Sequence, residues 1–583
     1  MLLVSSGKRG GTAMKQLAVA AKKQLADVVV KNGKIVNVFT HEIVEADIAI
    51  ADGKIVGVGE YDGQTVIDAK GKYVCPGLID GHVHIESSMV TPSEFARVVV
   101  PHGVTTVITD PHEIANVLGT KGIEFMLNDS NDIPLDVYVM LPSCVPATAF
   151  EHAGATLHAE HLAPFFSHPR VLGLAEVMDY PSLLEGKQQM LAKLTAAIEA
   201  NKLIDGHLAG LDETAVNVYR SANVHTDHEC VTVDEALARV QRGMYVLIRE
   251  GSVAKDLNKL LPAVNTYNAR RFLFCTDDKH IDELVNEGSI DHHIRLAIQA
   301  GIEPITAIQM ATLNAAECYR LYTKGAIAPW YDADFLLVDD LQSFSITHVY
   351  KKGVLVAENG RATFSVTKAT SIDQTITQSV HAKKVTKEDV QIPFTRGNQA
   401  NVIRIIPNHL HTKRLVTEVP VANGVFQPST EHDLLKLVVV ERHRGLGVGV
   451  GIVNGFQLKK GAIASSIAHD SHNIIATGTN DDDILVAIEH IRNINGGLAV
   501  VENGRVLAYL PLEIGGLMTA KSYEEVLERL QTIHDALTTI GASNEFNPFI
   551  TLAFLALPVI PELKLTDQGL FDVSSFQFMD VEA

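Results

Sequence analysis

Short apolar runs broken by turn residues dominate positions 27–75. ADVVVKNGKIVNV carries Asn32-Gly33 between two β-branched runs, and ADIAIADGKIVGVG carries Asp52-Gly53 between two more. Asn-Gly and Asp-Gly supply the positive φ angles of tight hairpins, so a small antiparallel β unit is predicted. The same texture returns over 325–365, where THVYKKGVLVAENGRA holds Asn359-Gly360. The two flanks, 27–75 with 325–380, are expected to build one small β-sandwich-like domain around a large insert.

The insert, residues 76–324, alternates apolar runs with helical patterns. Eight strands are predicted, at 78–85, 104–110, 136–142, 171–177, 203–208, 222–228, 244–249 and 272–277, with helices such as 182–201 and 291–300 in the gaps. Strand–helix repeats in this number predict a (β/α)8 TIM barrel, so the fold class is α/β. Residues 381–583 are predicted to form a C-terminal α+β domain, with an amphipathic helix in SYEEVLERLQTIHDAL. Gly445, Gly447, Gly449 and Gly451 alternate there, which suits a strand closely approached by another backbone. The start, residues 1–26, is expected to be a disordered leader, with Met1 or Met14 as the native first residue. Its apolar opening is too short for a signal peptide.

Composition narrows the function. Against 49 Lys and Arg stand 69 Asp and Glu, a formal charge of -20, which argues against nucleic-acid and anionic-membrane partners. The five cysteines (Cys75, Cys144, Cys230, Cys275, Cys318) are scattered and never form a C-x-x-C pair, so a reducing, cytoplasmic compartment is expected. No apolar run is long enough for a transmembrane helix.

The chemistry sits at the ends of the predicted barrel strands, the face where barrel enzymes build their sites. In Asp80-Gly81-His82-Val83-His84 the two histidines share one face of a strand, about 7 Å apart along it. Glu176, His207, His228 and Asp277 end four further strands. Several neutral imidazoles with two carboxylates would nearly neutralise a pair of divalent ions and keep positions open for water. Glu176 could bridge the ions. They would make hydroxide available near neutral pH, with Asp277 binding one ion and acting as general base.

These residues carry a resemblance. PGLIDGHVHIESS, the His207/His228 pair, the terminal-strand Asp277 and GAIAPWYDADFLLVDD resemble the amidohydrolase superfamily over 27–365. HVHIESSM, ITDPHEIANV, ERHRGLGVGVG and HDSHN are similar to the adenine deaminase family, which extends the resemblance to about 575. It implies a binuclear Mn2+ or Fe2+ site (Zn2+ being acceptable to the same donors), with His82, His84, Glu176, His207, His228 and Asp277 as ligands. It also implies hydrolytic loss of ammonia from adenine by a metal-activated hydroxide. The partners implied are a small purine base and water, and a homodimer is expected. Pro329-Trp330 departs from the family's usual Pro-Gly turn. Some superfamily members bridge their ions with a carboxylated lysine on strand four; VLGLAEVMDY has no lysine, and Glu176 is a permanent carboxylate.

Attack at C6 breaks aromaticity, so the enzyme must protonate or strongly hydrogen-bond the ring nitrogen N1. Glu86 and His112 are the candidates for that catalytic donor. Glu113, His469 and Ser471 are the candidate substrate contacts, the last two from the polar cluster 469–473 of the C-terminal unit, which could equally be an ordered turn. Two other readings stay open at this point: a superfamily hydrolase acting on a cyclic amide or another aminated heterocycle, and a non-enzymatic scaffold that kept the fold.

Overall fold

A computed structural model describes residues 8–366 and 372–583. Five strands, β1 (Leu78–Val83), β2 (Val104–Thr109), β3 (Asp136–Leu141), β4 (Val171–Val177) and β5 (Leu203–Gly206), form one parallel sheet in chain order. Three more, β6 (Thr226–Asp227), β7 (Tyr245–Arg249) and β8 (Phe272–Cys275), form a second. Every residue of β1, β2 and β8 is buried, as expected for parallel strands covered on both faces. The sheets touch at both edges. His225 donates its N–H to the Ile204 carbonyl at 3.1 Å, and Asp277 donates to the His82 carbonyl at 3.0 Å. The helix predicted over 182–201 is two, Tyr180–Leu184 and Gln188–Glu199, because Gly186 takes a φ of 67° between them.

The flanks interleave. Phe335–Val338 runs antiparallel to Tyr73–Pro76 in the middle of a seven-stranded sheet that draws strands from both ends of the insert. A four-stranded sheet from residues 26–68 shares a core with it, including Val30, Ile50, Val74, Phe335 and Tyr350. Asp52-Gly53 and Asn359-Gly360 make the expected two-residue hairpins, all four residues at positive φ. Asn32-Gly33 does not. Asn32 has a φ of 56°, but Ala26–Lys31 and Lys34–Asn37 enter different sheets, each finding a parallel partner further along the chain. The disordered leader is also corrected where it is described. Lys8–Ala20 is helical, Val19 is buried with Ala26 and Val29, and Lys15 pairs with Asp27 and Asp52 at 2.8 Å. Residues 1–7 of that expectation lie outside the described residues.

The C-terminal stretch carries an eight-stranded sheet, antiparallel except for the pairing of Gln399–Ile405 with Val448–Asn454. Helix Asp481–Asn493 covers one face, its three leading aspartates at the N-terminus capped by Asn480. The alternating glycines have the predicted purpose: a Cβ on Gly449 would lie 1.9 Å from the Thr566 carbonyl oxygen. This unit docks on the C-terminal ends of β1–β8. Thr519 donates its N–H to the Met89 carbonyl at 3.0 Å, and His152 Nδ1 lies 2.6 Å from Asp567. All five cysteines are free and buried. Among the described residues, no helix is long and apolar enough to cross a membrane.

Candidate metal centre

The ends of β1 and β8 are locked together before any ligand is considered. Gly81 lets the strands close: a Cβ there would lie 2.6 Å from Leu273 and 3.0 Å from the Phe274 carbonyl. Asp80 accepts from the Thr276 N–H (3.0 Å) and hydroxyl (2.6 Å). Asp277 sits at a φ of 58°, costly for a residue with a Cβ, and is pinned by its N–H to the His82 carbonyl and by the His84 N–H to its own carbonyl. Strained backbone held from both sides is a mark of a functional position.

The predicted ligands converge. His82 Nε2 and His84 Nε2 are 3.1 Å apart, and Asp277 Oδ1 lies 3.4 and 3.2 Å from them. His84 Nδ1 is 2.9 Å from the Asp110 carbonyl, so Nδ1 carries the hydrogen and Nε2 presents its lone pair. Glu176 divides its two oxygens. Oε1 faces His112 Nδ1 (3.3 Å) and His84 Nε2 (3.5 Å), while Oε2 faces His207 Nδ1 (2.7 Å) and His228 Nε2 (3.2 Å). Three groupings of ligand atoms result: His84, Asp110, His112 and Glu176; His82, His228 and Asp277; Glu176, His207 and His228. Glu176 and His228 each belong to two of them.

The donor set fits divalent ions. Glu176 is 3% exposed, yet its Oε1 accepts no hydrogen bond while surrounded by ring nitrogens. A buried carboxylate oxygen left that way is costly unless a cation completes it. Burial opposes ionisation of Glu176, but His112, His207 and His228 hold it well below the usual carboxylate range. Burial likewise opposes ionisation of Asp277, and His82, His84 and Arg249 outweigh it. Against burial, Asp277 lifts His84, Asp110 with Asp470 and Glu176 lifts His112, Glu176 lifts His228, and Glu229 with Glu176 lifts His207 to about 9.

Around the centre lie groups that strand-end reading missed. Asp110, one residue before Pro111, holds His112 Nδ1 at 3.1 Å. The Asp-x-His spacing in ITDPHE was the available signal. Arg249, buried at the end of β7, donates to Asp277 Oδ2 at 3.1 Å and pairs with Glu229 and Asp256. A charged residue closing an apolar strand announces it.

The other predicted residues separate. His112 joins the ligand cluster. Glu86 accepts from the Ile114 N–H at 3.3 Å, at the start of α1 (His112–Leu118), and stands in none of the ligand groupings. Glu113 and His469 meet His472 in a fourth grouping, with His472 Nε2 3.7 Å from Glu113. The Ala468 N–H donates to His472 Nδ1, so Nε2 carries the hydrogen, is not an ion ligand, and has no hydrogen-bond partner of its own. Ser87 Oγ lies 3.0 Å from Glu113 Oε1 and 2.5 Å from Asp278 Oδ1. One hydroxyl hydrogen bonds only one of the two carboxylates fully, and a proton on either carboxyl would satisfy the other. Burial, with Asp278 and Glu86 beside it, pushes Glu113 well above its ordinary range. Ser471 is engaged elsewhere, accepting from Asn473 Nδ2 at 3.2 Å. The loop 469–473 thus reaches the strand ends of its own chain, with Asp470 Oδ1 3.8 Å from His112 Nε2.

Residues 73–356 match the amidohydrolase family, 409–577 the adenine deaminase C-terminal domain, and 3–76 the urease α-subunit N-terminal domain. The adenine deaminase of Geobacillus kaustophilus is 68% identical over 97% of this chain and 99% of its own. That of Bacillus subtilis is 55% identical over 97% and 99%. The solved structure of an enamidase, described as a new member of the amidohydrolase superfamily, is 20% identical, covers 57% of this chain and 96% of its own, and gives a TM-score of 0.45.

Proposed function

This chain belongs to the adenine deaminase family, and from that premise we propose how its residues divide the hydrolysis of adenine to hypoxanthine and ammonia. The observation that carries the reading is the placement of Glu176, one oxygen toward His84 and His112 and the other toward His207 and His228. His82, His84, Glu176, His207, His228 and Asp277 would hold two divalent ions, Mn2+ or Fe2+ with Zn2+ acceptable to the same donors, with Asp110 and His112 beside them. Bound there, the ion pair would supply Lewis acidity that brings a water's pKa down to roughly 7.

The chain's own groups move the protons. Asp277, oriented by Arg249, takes one proton from the water as the C6–O bond forms and passes it to the amino group, which leaves as ammonia when the C6–N6 bond breaks. Glu113, protonated and oriented by Ser87, gives its proton to N1, relieving the charge that builds as aromaticity is lost. The second water proton, released as the C6 carbonyl forms, restores Glu113. His469 borders the base, while Glu86 caps α1 and supports the cluster from behind. The hydrogen bonds at both sheet edges support a closed (β/α)8 barrel over 76–324 between the β flanks 27–75 and 325–380. Residues 381–583 form the α+β unit that brings His469 and His472 to its mouth.

The test is ammonia release from adenine, beside adenosine and guanine, after separate reconstitution with manganese, iron and zinc. Equal amounts of hypoxanthine and ammonia from adenine are expected. No ammonia with any of the three metals would overturn the reading.

A further inference from the structure

Between the strand ends and the C-terminal unit lies a narrow cavity. It is lined by Ser87, Asp278 and His469 near the strand ends and by Ile467, Phe549 and Phe554 further out, with His280 and Ser465 as further polar groups. Ser87 and Asp278 are the groups that set Glu113, so the inner end opens on the candidate centre. The outer end is continuous with a broad surface cleft beside the helix Tyr523–Thr539, because Phe549, Met89, His280 and Leu498 line both spaces. The cavity holds only about 30 Å³, room for roughly one water. A purine is several times larger.

A base can use this passage only if wall side chains give way. The bulky apolar ones are Phe549 and Phe554, both on the short helix Pro548–Phe554. Phe554 stacks on His469 with ring centroids 4.2 Å apart and planes 22° from parallel. The two rings are 6% and 7% exposed, filling the space rather than facing solvent.

We propose that Phe549 and Phe554 are specificity-determining residues that form an aromatic gate on the substrate's path and select by width and polarity. A flat, unsubstituted base displaces the rings edge-on. A substituent on N9 adds width, and a ribose adds hydroxyls that would lose water against Ile467 and the two phenylalanines, where His280 and Ser465 are too few to replace it. The gate therefore rejects nucleosides before they meet the metal ligands. This inference rests on the purine-deaminating reading, so its test has an arm that does not need turnover.

The variants are Phe549→Ala and Phe554→Ala, with Phe549→Leu and Phe554→Leu as milder replacements should an alanine variant not fold. In the holoenzyme, kcat/KM is measured for adenine and for 9-methyladenine. The ratio of the two is independent of the amount of active protein. It should rise at least tenfold in one alanine variant or about threefold in the leucine variants, while adenine itself changes less. Separately, stopped-flow fluorescence of 2-aminopurine reads the association rate, which should increase in the same variants. A ratio within twofold of wild type in both positions, together with an unchanged association rate, overturns the gate. Should wild type release no ammonia from adenine, the functional reading fails, and the association rate alone decides: acceleration in the variants supports the gate, and no acceleration or no binding overturns it.

Discussion

Replacing Asp277 by asparagine tests the centre most directly, because the structure says what each oxygen does. Oδ1 faces His82 Nε2 and His84 Nε2 at 3.4 and 3.2 Å, and Oδ2 accepts from Arg249 at 3.1 Å. Asparagine keeps the shape but brings two hydrogens. With its NH2 toward Arg249, donor meets donor and a charged hydrogen bond worth about 1.5–3 kcal/mol is lost. With its NH2 toward the imidazoles, a donor stands where an ion needs a lone pair. Either orientation weakens ion retention, so the assay uses saturating metal and checks content by elemental analysis. The larger loss is the proton acceptor, about two to four orders of magnitude in kcat. That corresponds to roughly 2.7–5.4 kcal/mol of transition-state stabilisation. Adenine turnover, read by coupled ammonia detection, should fall by that factor with the metal present and the circular dichroism spectrum unchanged. A fully metallated variant within threefold of wild-type kcat would remove Asp277 from the proton path.

Glu176→Gln should lower metal content and rate together, since both oxygens serve the cluster, and thorough removal of bicarbonate should leave the wild type unaffected; a bicarbonate requirement would contradict Glu176 as the bridge. Acid stability should depend on the buried group of Lys324, Lys351, Asp136 and Asp334, where Lys351 lies 2.6 and 2.7 Å from the two aspartates. Burial opposes the ionised aspartates, but the lysines hold both below their ordinary range. Their stabilisation is therefore present above an unfolded pKa of about 3.9 and lost as pH falls below it toward the folded values. Asp334→Asn should lower the Tm at pH 7, with the gap to wild type narrowing below about pH 4; a constant gap would refute the linkage. Gly449→Ala, whose Cβ would strike the Thr566 carbonyl, should lower the Tm without changing the ratio of kcat values between purine substrates.

What the sequence revealed and what it hid follow from the range of the forces involved. His82 and His84 were legible because strand alternation is local, and apolar runs marked β1 and its neighbours. Asn32-Gly33 shows the limit of local reading. Asn32 takes the positive φ its chemistry favours, but which sheet each flanking strand joins is decided by burial against residues tens of positions away. The helix Lys8–Ala20 was missed for the same reason: it forms where Val19 finds a core and Lys15 finds two aspartates. Asp110 and Arg249 are intermediate cases. Each carries a local oddity, an Asp-x-His spacing or a charge closing an apolar strand, but its meaning depends on which strand end lies opposite.

The loop 469–473 is the extreme case, and it changes how the centre is understood. No spacing rule connects Glu113 to His472, yet the two face each other at 3.7 Å with neither exposed. The Ala468 N–H fixes the hydrogen of His472 on Nε2, and burial beside Asp278 and Glu86 pushes Glu113 toward its protonated form. Hydrogen positions at the mouth are therefore set partly by the C-terminal unit, although nearly all the ion ligands come from strand ends. A barrel alone could assemble His82, His84, Glu176, His207, His228 and Asp277. It would leave Glu113 without the imidazole that faces it, and the space now filled by His469, Phe549 and Phe554 would open to water, which weakens every charge interaction at the site. In the proposed reading the ligands would supply the hydrolytic chemistry, and the added unit would make the mouth dry, ordered and selective.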